Sequence, residues 1–200
     1  MKQTLRITLV ALSALWLAVT PALAATPTAF VKAILDEVLA IQGNQAQQGP
    51  AHEEARAQSI RRVIQKNFDF PYMAQDSLGA AYDRLSAGQR QEFASVFSSL
   101  FQSSYTNLVL RFLTKEDIKY GKETLNGSQA RVDTTLMRAN DNIKVEYLLH
   151  QKGGGWVLYD VVVDGVSILD KYKAGFAREI QTGSFDSLLG KMKTQLKSVQ

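Results

Sequence analysis

Two carboxylates four residues apart, Asp160 and Asp164, have the residue type and spacing for acid–base chemistry. On a strand both would point to one face, where one could donate and the other accept a proton. A plainer role is structural: Asp164-Gly165 makes a turn, and Asp160 caps a helix or pairs with a nearby cation. Asp69, two residues before Pro71, reads as a helix cap or turn residue. His150 reads as an exposed residue near a strand end. It and His52 are the two histidines of the chain, far apart, and there is no cysteine. Disulfide frameworks, thiolate metal sites and cysteine nucleophiles are therefore excluded, and little remains for a zinc site or a Ser-His-Asp triad. No G-x-S-x-G, P-loop or H-E-x-x-H motif occurs. Gly153-Gly154-Gly155 precedes a strand rather than a helix, so it is a turn and not a phosphate cradle.

The aromatic residues carry more information. Phe93, Phe97, Phe101 and Tyr105 recur every four residues, with Phe112 beyond. Such a stripe fills a core or forms a wall shared by core and cavity, and spacing alone leaves both open. It lies on the longest helix expected in the chain, opened by the capping box Ser86-Ala87-Gly88-Gln89 and running to about Phe112. Before it, apolar spacing predicts a helix over 28–41, a charged helix over 51–67, and a short one from about Phe70 that Gly79 ends.

From Asp117 the period drops to two. Ile118, Tyr120, Lys122 and Thr124 share one face of a first strand, and Asn126-Gly127 signals a type I′ turn. Ala130, Val132, Thr134 and Leu136 share a face of the second strand; Ile143, Val145, Tyr147 and Leu149 share a face of the third. The fourth, Trp156 to Val163, is apolar on both sides, with Val157, Tyr159, Val161 and Val163 on one face. A strand of that kind is covered on both faces or lines an internal space. Ser167-Ile168-Leu169-Asp170 opens a helix that Gly183 stops, and Ser184 caps a last amphipathic helix. The fold expected is α+β: a curved four-stranded antiparallel meander with helices on one face.

The N-terminus is a separate matter. Lys2 and Arg6, an apolar run over 7–19, and Ala22-Leu23-Ala24 form a secretory signal peptide over residues 1–24, too short for a membrane span. Removing 24 of the 200 residues, two of them basic, leaves 176 with a net charge of +2 instead of +4. So weak a basic balance argues against nucleic acid as a partner. Residues 25–200 form one domain, long enough to bury a core without disulfides.

Three stretches resemble the MlaC/toluene-tolerance family of periplasmic phospholipid-binding proteins. They are Asn67-Phe68-Asp69-Phe70-Pro71-Tyr72-Met73 with Leu78-Gly79; Leu85-Ser86 through Gln89-Arg90 and Phe93, with Phe97 and Tyr105; and Trp156 to Val161 followed by Asp164-Gly165-Val166-Ser167 and Tyr172. Tyr82 and Lys173 depart from the pattern, which otherwise spans nearly all of the mature chain.

The resemblance implies a monomeric periplasmic carrier with no cofactor and no catalytic residue. It would hold phospholipid as cargo in an apolar pocket between sheet and helices. It would shuttle that lipid between an outer-membrane lipoprotein–porin complex and an inner-membrane ABC transporter with an MCE-domain ring, maintaining outer-membrane lipid asymmetry. Spacing proposes Phe97, Phe101, Tyr105, Leu108 and Phe112 for the helical wall of the pocket, and Val145, Tyr147, Val161 and Val163 for the strands, with Tyr159 a weaker choice. The basic residues after Gly165, among them Lys171, Lys173, Arg178, Lys191, Lys193 and Lys197, form a solvated helix surface or a docking face for acidic partners or lipid head groups. A cone-shaped enzyme of the nuclear-transport-factor-like kind, or a periplasmic chaperone, would share the layout.

Overall fold

The computed structural model describes residues 25–139 and 141–198, so the signal segment over 1–24 lies outside the described residues. Helix α1 spans Pro27–Gly43, α2 Glu53–Asn67, α3 Phe70–Leu78, α4 Ala80–Asp83 and α5 Ala87–Phe112. Strands β1 Asp117–Asn126, β2 Gln129–Met137, β3 Asn142–Lys152, β4 Gly155–Val163 and β5 Val166–Ser167 follow, then α6 Ile168–Thr182 and α7 Phe185–Ser198.

The helix boundaries are set by side chains. The Thr26 hydroxyl accepts from Ala29 N with Pro27 at the first turn of α1, and the Asp69 carboxylate accepts from Tyr72 N at the start of α3. Ser86 and Gln89 make both hydrogen bonds of the capping box on α5, which leaves two fewer backbone donors unmet. Glu53 and Glu54 stand in the first turn of α2 and Lys66 in its last, each complementing the helix dipole.

The five strands pair in chain order, all antiparallel. The fifth was not foreseen, because two residues are too few to show a period. The β1–β2 turn is Gly127-Ser128, one residue later than the Asn126-Gly127 signal suggested, since Asn126 pairs with Gln129. Only its first central residue has positive φ, at 59°, which is the type II′ rather than the I′ pattern. Gly153-Gly154 and Asp164-Gly165 do have positive φ at both positions.

Two bulges re-aim side chains. On β1 the register shifts between Tyr120 and Glu123, so Glu123 rather than Lys122 follows Tyr120 on the helix-facing side. There its carboxylate accepts from Thr28 N at 2.8 Å, at the head of α1, a favourable place for negative charge. Gly121 at this bulge lies so near β2 that a Cβ would stand 3.3 Å from the Asp133 carbonyl oxygen. On β4, Leu148 pairs with Asp160 and Leu149 with Leu158, leaving Tyr159 as the extra residue. The face then switches: Leu158 joins Val161 on the inner side, and Tyr159 is turned outward. The single alternating face expected for Val157, Tyr159, Val161 and Val163 is broken at this point.

The core lies between that inner face and the helices. Phe93, Phe97, Leu100 and Phe101 of α5 are fully buried, with Val132, Leu149, Leu158 and Val161 of the sheet. Each such side chain stabilises the fold by about 1.5–3 kcal/mol. The outer sheet face is polar, with Arg131 bridging Asp133 at 3.1 Å and Glu146 at 3.4 Å. Helix α6 docks on α3 and β4, and α7 on α5.

Candidate functional site

The C-terminal half of α5 stands away from the sheet and leaves a cavity of about 290 Å³. Tyr105, Leu108, Val109, Phe112 and Leu113 line its helical side, at steps of one, three and four that keep them on one stripe. Leu136, Ile143, Val145, Tyr147, Val161 and Val163 line its sheet side, alternate residues of three strands. Arg138, Asp141 and Asp164 are the charged residues of its lining. The Arg138 guanidinium lies 3.7 Å from the Glu116 carboxylate, 3.9 Å from that of Asp141, and 5.7 Å from the centre of the Phe112 ring. Asp164 is held across the hairpin by Lys144, whose N–H donates to its carboxylate at 2.9 Å.

A second cavity, of about 330 Å³, lies on the other side of Tyr105 and Leu108. Phe101, Ser104, Tyr105 and Leu108 of α5 line it, with Ile168, Lys171 and Tyr172 of α6 and Gln195 of α7. Tyr105 and Leu108 therefore belong to both walls.

Seven of the ten residues proposed for the pocket wall meet around the first cavity: Tyr105, Leu108, Phe112, Val145, Tyr147, Val161 and Val163. Phe101 lines only the second. Phe97 lines neither: its ring lies 5.5 Å from that of Tyr172 and 6.0 Å from that of Phe93. It fills core, because the N-terminal half of α5 is covered by α6 and α7. Tyr159 is also misplaced, since the β4 bulge stacks it on His150 with ring planes 13° apart. Val109, Leu113, Leu136 and Ile143 also line the wall, and of these Leu136 and Ile143 already lay on apolar strand faces that the spacing identifies. Ser104, Ile168 and Tyr172 carried no signal of a cavity, since only docking of α6 creates one.

The wall of the first cavity is uncharged away from Arg138, Asp141 and Asp164. Burial pushes the Tyr147 hydroxyl well above its ordinary value, against an opposing contact from Thr134. Burial, with a smaller contribution from the Asp160 carboxylate, raises that of Tyr105. Both hydroxyls stay neutral at any physiological pH, so neither ring adds charge to the cavity wall.

The acidic residues singled out for chemistry have other work. Asp160 is buried; its carboxylate accepts from Val161 N at 2.8 Å, Leu169 N at 3.0 Å and the Ser167 hydroxyl. Burial raises its pKa, and those three hydrogen bonds oppose the rise without cancelling it. Asp69 accepts from Lys152 Nζ at 2.7 Å and contacts His150 Nε2 at 2.9 Å. Burial alone would raise this carboxyl, but Lys152, His150 and Tyr72 N outweigh it and hold it below its usual value. His150 is thus paired and largely covered, contrary to the exposed position expected. Because it alternates with Tyr147 and Leu149 along β3, this Asp–His pair sits on the face of the sheet away from the cavity. Among the described residues no group of three or more His, Asp or Glu could hold a metal ion. No helix there is long and apolar enough to cross a membrane.

Half of the C-terminal basic residues are engaged: Lys173 with Asp76 at 2.9 Å, Lys191 with Glu179 and Lys193 with Glu92. Comparison with known proteins gives this architecture a lineage. A family model described as MlaC protein matches residues 32–194, from α1 to α7. The chain belongs to the MlaC family. The MlaC match takes in every element that lines either cavity. A curated relative, the intermembrane phospholipid transport system binding protein MlaC of Haemophilus influenzae, is 23% identical over 138 residues. That alignment covers 66% of this chain and 64% of the relative, so the chain spans just under two thirds of its length. A phospholipid-binding protein from Ralstonia solanacearum, solved in complex with a phospholipid, superposes with a TM-score of 0.76 at 22% identity. It covers 88% of this chain and 99% of its own, and so shares the MlaC fold of curved sheet and surrounding helices.

Proposed function

We propose that this MlaC-family protein is a non-catalytic periplasmic phospholipid carrier, with residues 1–24 as its export signal and 25–200 as a single lipid-binding domain. The observation that carries the reading is the cavity of about 290 Å³, walled by uncharged side chains and bearing its charges only at Arg138, Asp141 and Asp164. A tail enclosed there gains about 0.8 kcal/mol for each CH₂ removed from water. The phosphate can stay outside, where it keeps its hydration. Tyr105, Leu108, Phe112, Val145, Tyr147, Val161 and Val163 would touch the tail. The names of the Haemophilus and Ralstonia relatives support this cargo. The family resemblance extends the reading to partners: an outer-membrane lipoprotein–porin complex on one side and an inner-membrane ABC transporter with an MCE-domain ring on the other. The carrier would pass between them as a monomer, maintaining outer-membrane lipid asymmetry.

An enzymatic reading has no comparable support. Asp160 is buried and accepts three hydrogen bonds within the fold, and the Asp69–His150 pair faces away from the cavity.

Native mass spectrometry of the mature protein, purified under lipid-preserving conditions, tests the proposal. Phospholipid should co-purify, and the emptied protein should extract it from vesicles. Protein that arrives empty and takes up no lipid would overturn the carrier reading.

A further inference from the structure

The charged residues of the first cavity all stand at one end of it. Arg138 follows β2, Asp141 precedes β3 and Asp164 follows β4, and antiparallel pairing brings those three strand ends together. Asp141 and Asp164 are exposed there, whereas Val145, Tyr147 and Val161 farther in are buried, so this end is the mouth. Two carboxylates against one guanidinium leave the lining net negative. The segment that carries α5 into β1 adds Arg111 and Lys115 but also Glu116 and Asp117, which leaves that balance unchanged. Lys144 alternates with Val145 along β3, so its side chain lies on the outer face of the sheet.

The charges at the mouth are held differently. Asp164 sits in the β4–β5 turn with a φ of 48°. Its N–H donates to Lys144 O at 2.8 Å, and one carboxylate oxygen accepts from Lys144 N at 2.9 Å. Its other oxygen has no partner among the described residues. Arg138 lies 3.7 Å from Glu116 and 3.9 Å from Asp141, close enough for ion pairs but too far for hydrogen bonds. Those contacts leave its fork of N–H donors open to an acceptor. The mouth thus offers donors to a phosphate and, beside them, a fixed and half-used carboxylate to a cation.

We infer that the mouth of the first cavity selects cargo by head group: Arg138 takes the phosphate, and Asp141 and Asp164 take a primary ammonium, so that amine-bearing zwitterionic phospholipids are preferred to anionic ones. This rests on the carrier reading and adds a choice of head group to it. Phosphatidylethanolamine fits, because its ammonium stands two carbons beyond the phosphate ester oxygen and carries three N–H donors. Phosphatidylglycerol brings the same phosphate with no cation, and meets the two carboxylates uncompensated. Both carboxylates are exposed, which keeps the preference modest and sensitive to salt.

Competition within one vesicle tests the inference. The emptied mature protein is given vesicles of equal parts phosphatidylethanolamine and phosphatidylglycerol with identical tails, and native mass spectrometry reads which lipid it takes. Wild type should take the ethanolamine lipid about fivefold over the glycerol lipid at low salt, and the preference should shrink as salt is raised. Asp141→Asn combined with Asp164→Asn should bring the ratio to one or below. Asparagine suits the turn as well as aspartate does and keeps an oxygen for Lys144 N, so the variant should fold, which circular dichroism checks. The donor vesicles are the same for both proteins, so a difference between them belongs to the mouth. Lipid uptake without preference in wild type, a preference that ignores salt, or an unchanged ratio in the folded double variant would overturn the head-group choice and leave the carrier reading standing. A wild-type protein that takes neither lipid would overturn the carrier reading, and this inference with it.

Discussion

Asp160 ties the bulge of β4 to the first turn of α6, and its removal should be among the costliest polar substitutions in the protein. The carboxylate Oδ1 receives both Val161 N and Leu169 N, and Oδ2 receives the Ser167 hydroxyl, at a site only 4% exposed. Asp160→Ala strands two backbone donors where water does not reach. Each unmet donor costs about 1–3 kcal/mol, and the relief of no longer burying a carboxylate offsets part of that. The expected net loss is about 2–4 kcal/mol. Asp160→Asn keeps the oxygen that serves both N–H groups, and its amide faces a hydroxyl that can turn to accept. It should cost less than about 1 kcal/mol. The native pKa of Asp160 is raised by burial, so ionised Asp160 is itself a burden. Acidification through its folded pKa should favour the native state, and the Asn variant should lose that dependence. Urea unfolding with an unchanged m-value measures all three effects. Equal destabilisation by Ala and Asn would refute the argument, because it would mean the two N–H groups do not depend on the retained oxygen.

Three further outcomes follow from the same geometry. Val161→Glu or Val145→Arg should lower the co-purified phospholipid seen by native mass spectrometry, since either sets a charge in the uncharged wall of the first cavity; undiminished occupancy in a folded variant would remove that residue from the site. Leu158→Ala should destabilise by about 2–5 kcal/mol in urea unfolding, whereas Tyr159→Ala should cost clearly less. The reverse order would mean that the bulge is misassigned. The Asp69 carboxyl is held below its ordinary value, so its contribution is present at neutral pH and lost as pH falls through the folded pKa. The stability gap between wild type and Asp69→Asn, followed by urea unfolding, should therefore close on acidification, and a gap that widens would contradict the pairing.

The helices were legible because their signals are local. Ser86 and Gln89 name the start of α5, and the four-residue recurrence of its aromatics names its buried side. What the stripe could not tell was where core ends and cavity begins, since Phe97 and Tyr105 occupy equivalent positions on it. That difference is made by α6 and α7, which cover the first half of α5. The strand faces were legible up to the bulges. One extra residue at Tyr159 reverses every assignment on one side of it, and nothing in Trp156-Val157-Leu158-Tyr159-Asp160 marks which residue is the extra one. His150 was misjudged for a related reason: its partner Asp69 comes from a segment 81 residues away, which period-two reasoning cannot see.

The sheet is a run of consecutive hairpins, so each strand's neighbour in space is also its neighbour in the chain. Pairings of that kind close short loops, at little entropic cost and with no slow search for distant partners. The roofs of the two cavities come instead from outside the sheet segment, α5 before it in sequence and α6 and α7 after it. The strands can assemble from local contacts alone, while the hollows come into being only when remote segments dock. An empty apolar hollow gives those segments few atoms to hold, and a hydrocarbon tail would supply the missing ones. If the proposed cargo binds only the docked form, helix docking and loading become one equilibrium, deepened by mass action. Surrender of the lipid at a membrane would loosen the roof and leave the hairpins as they were.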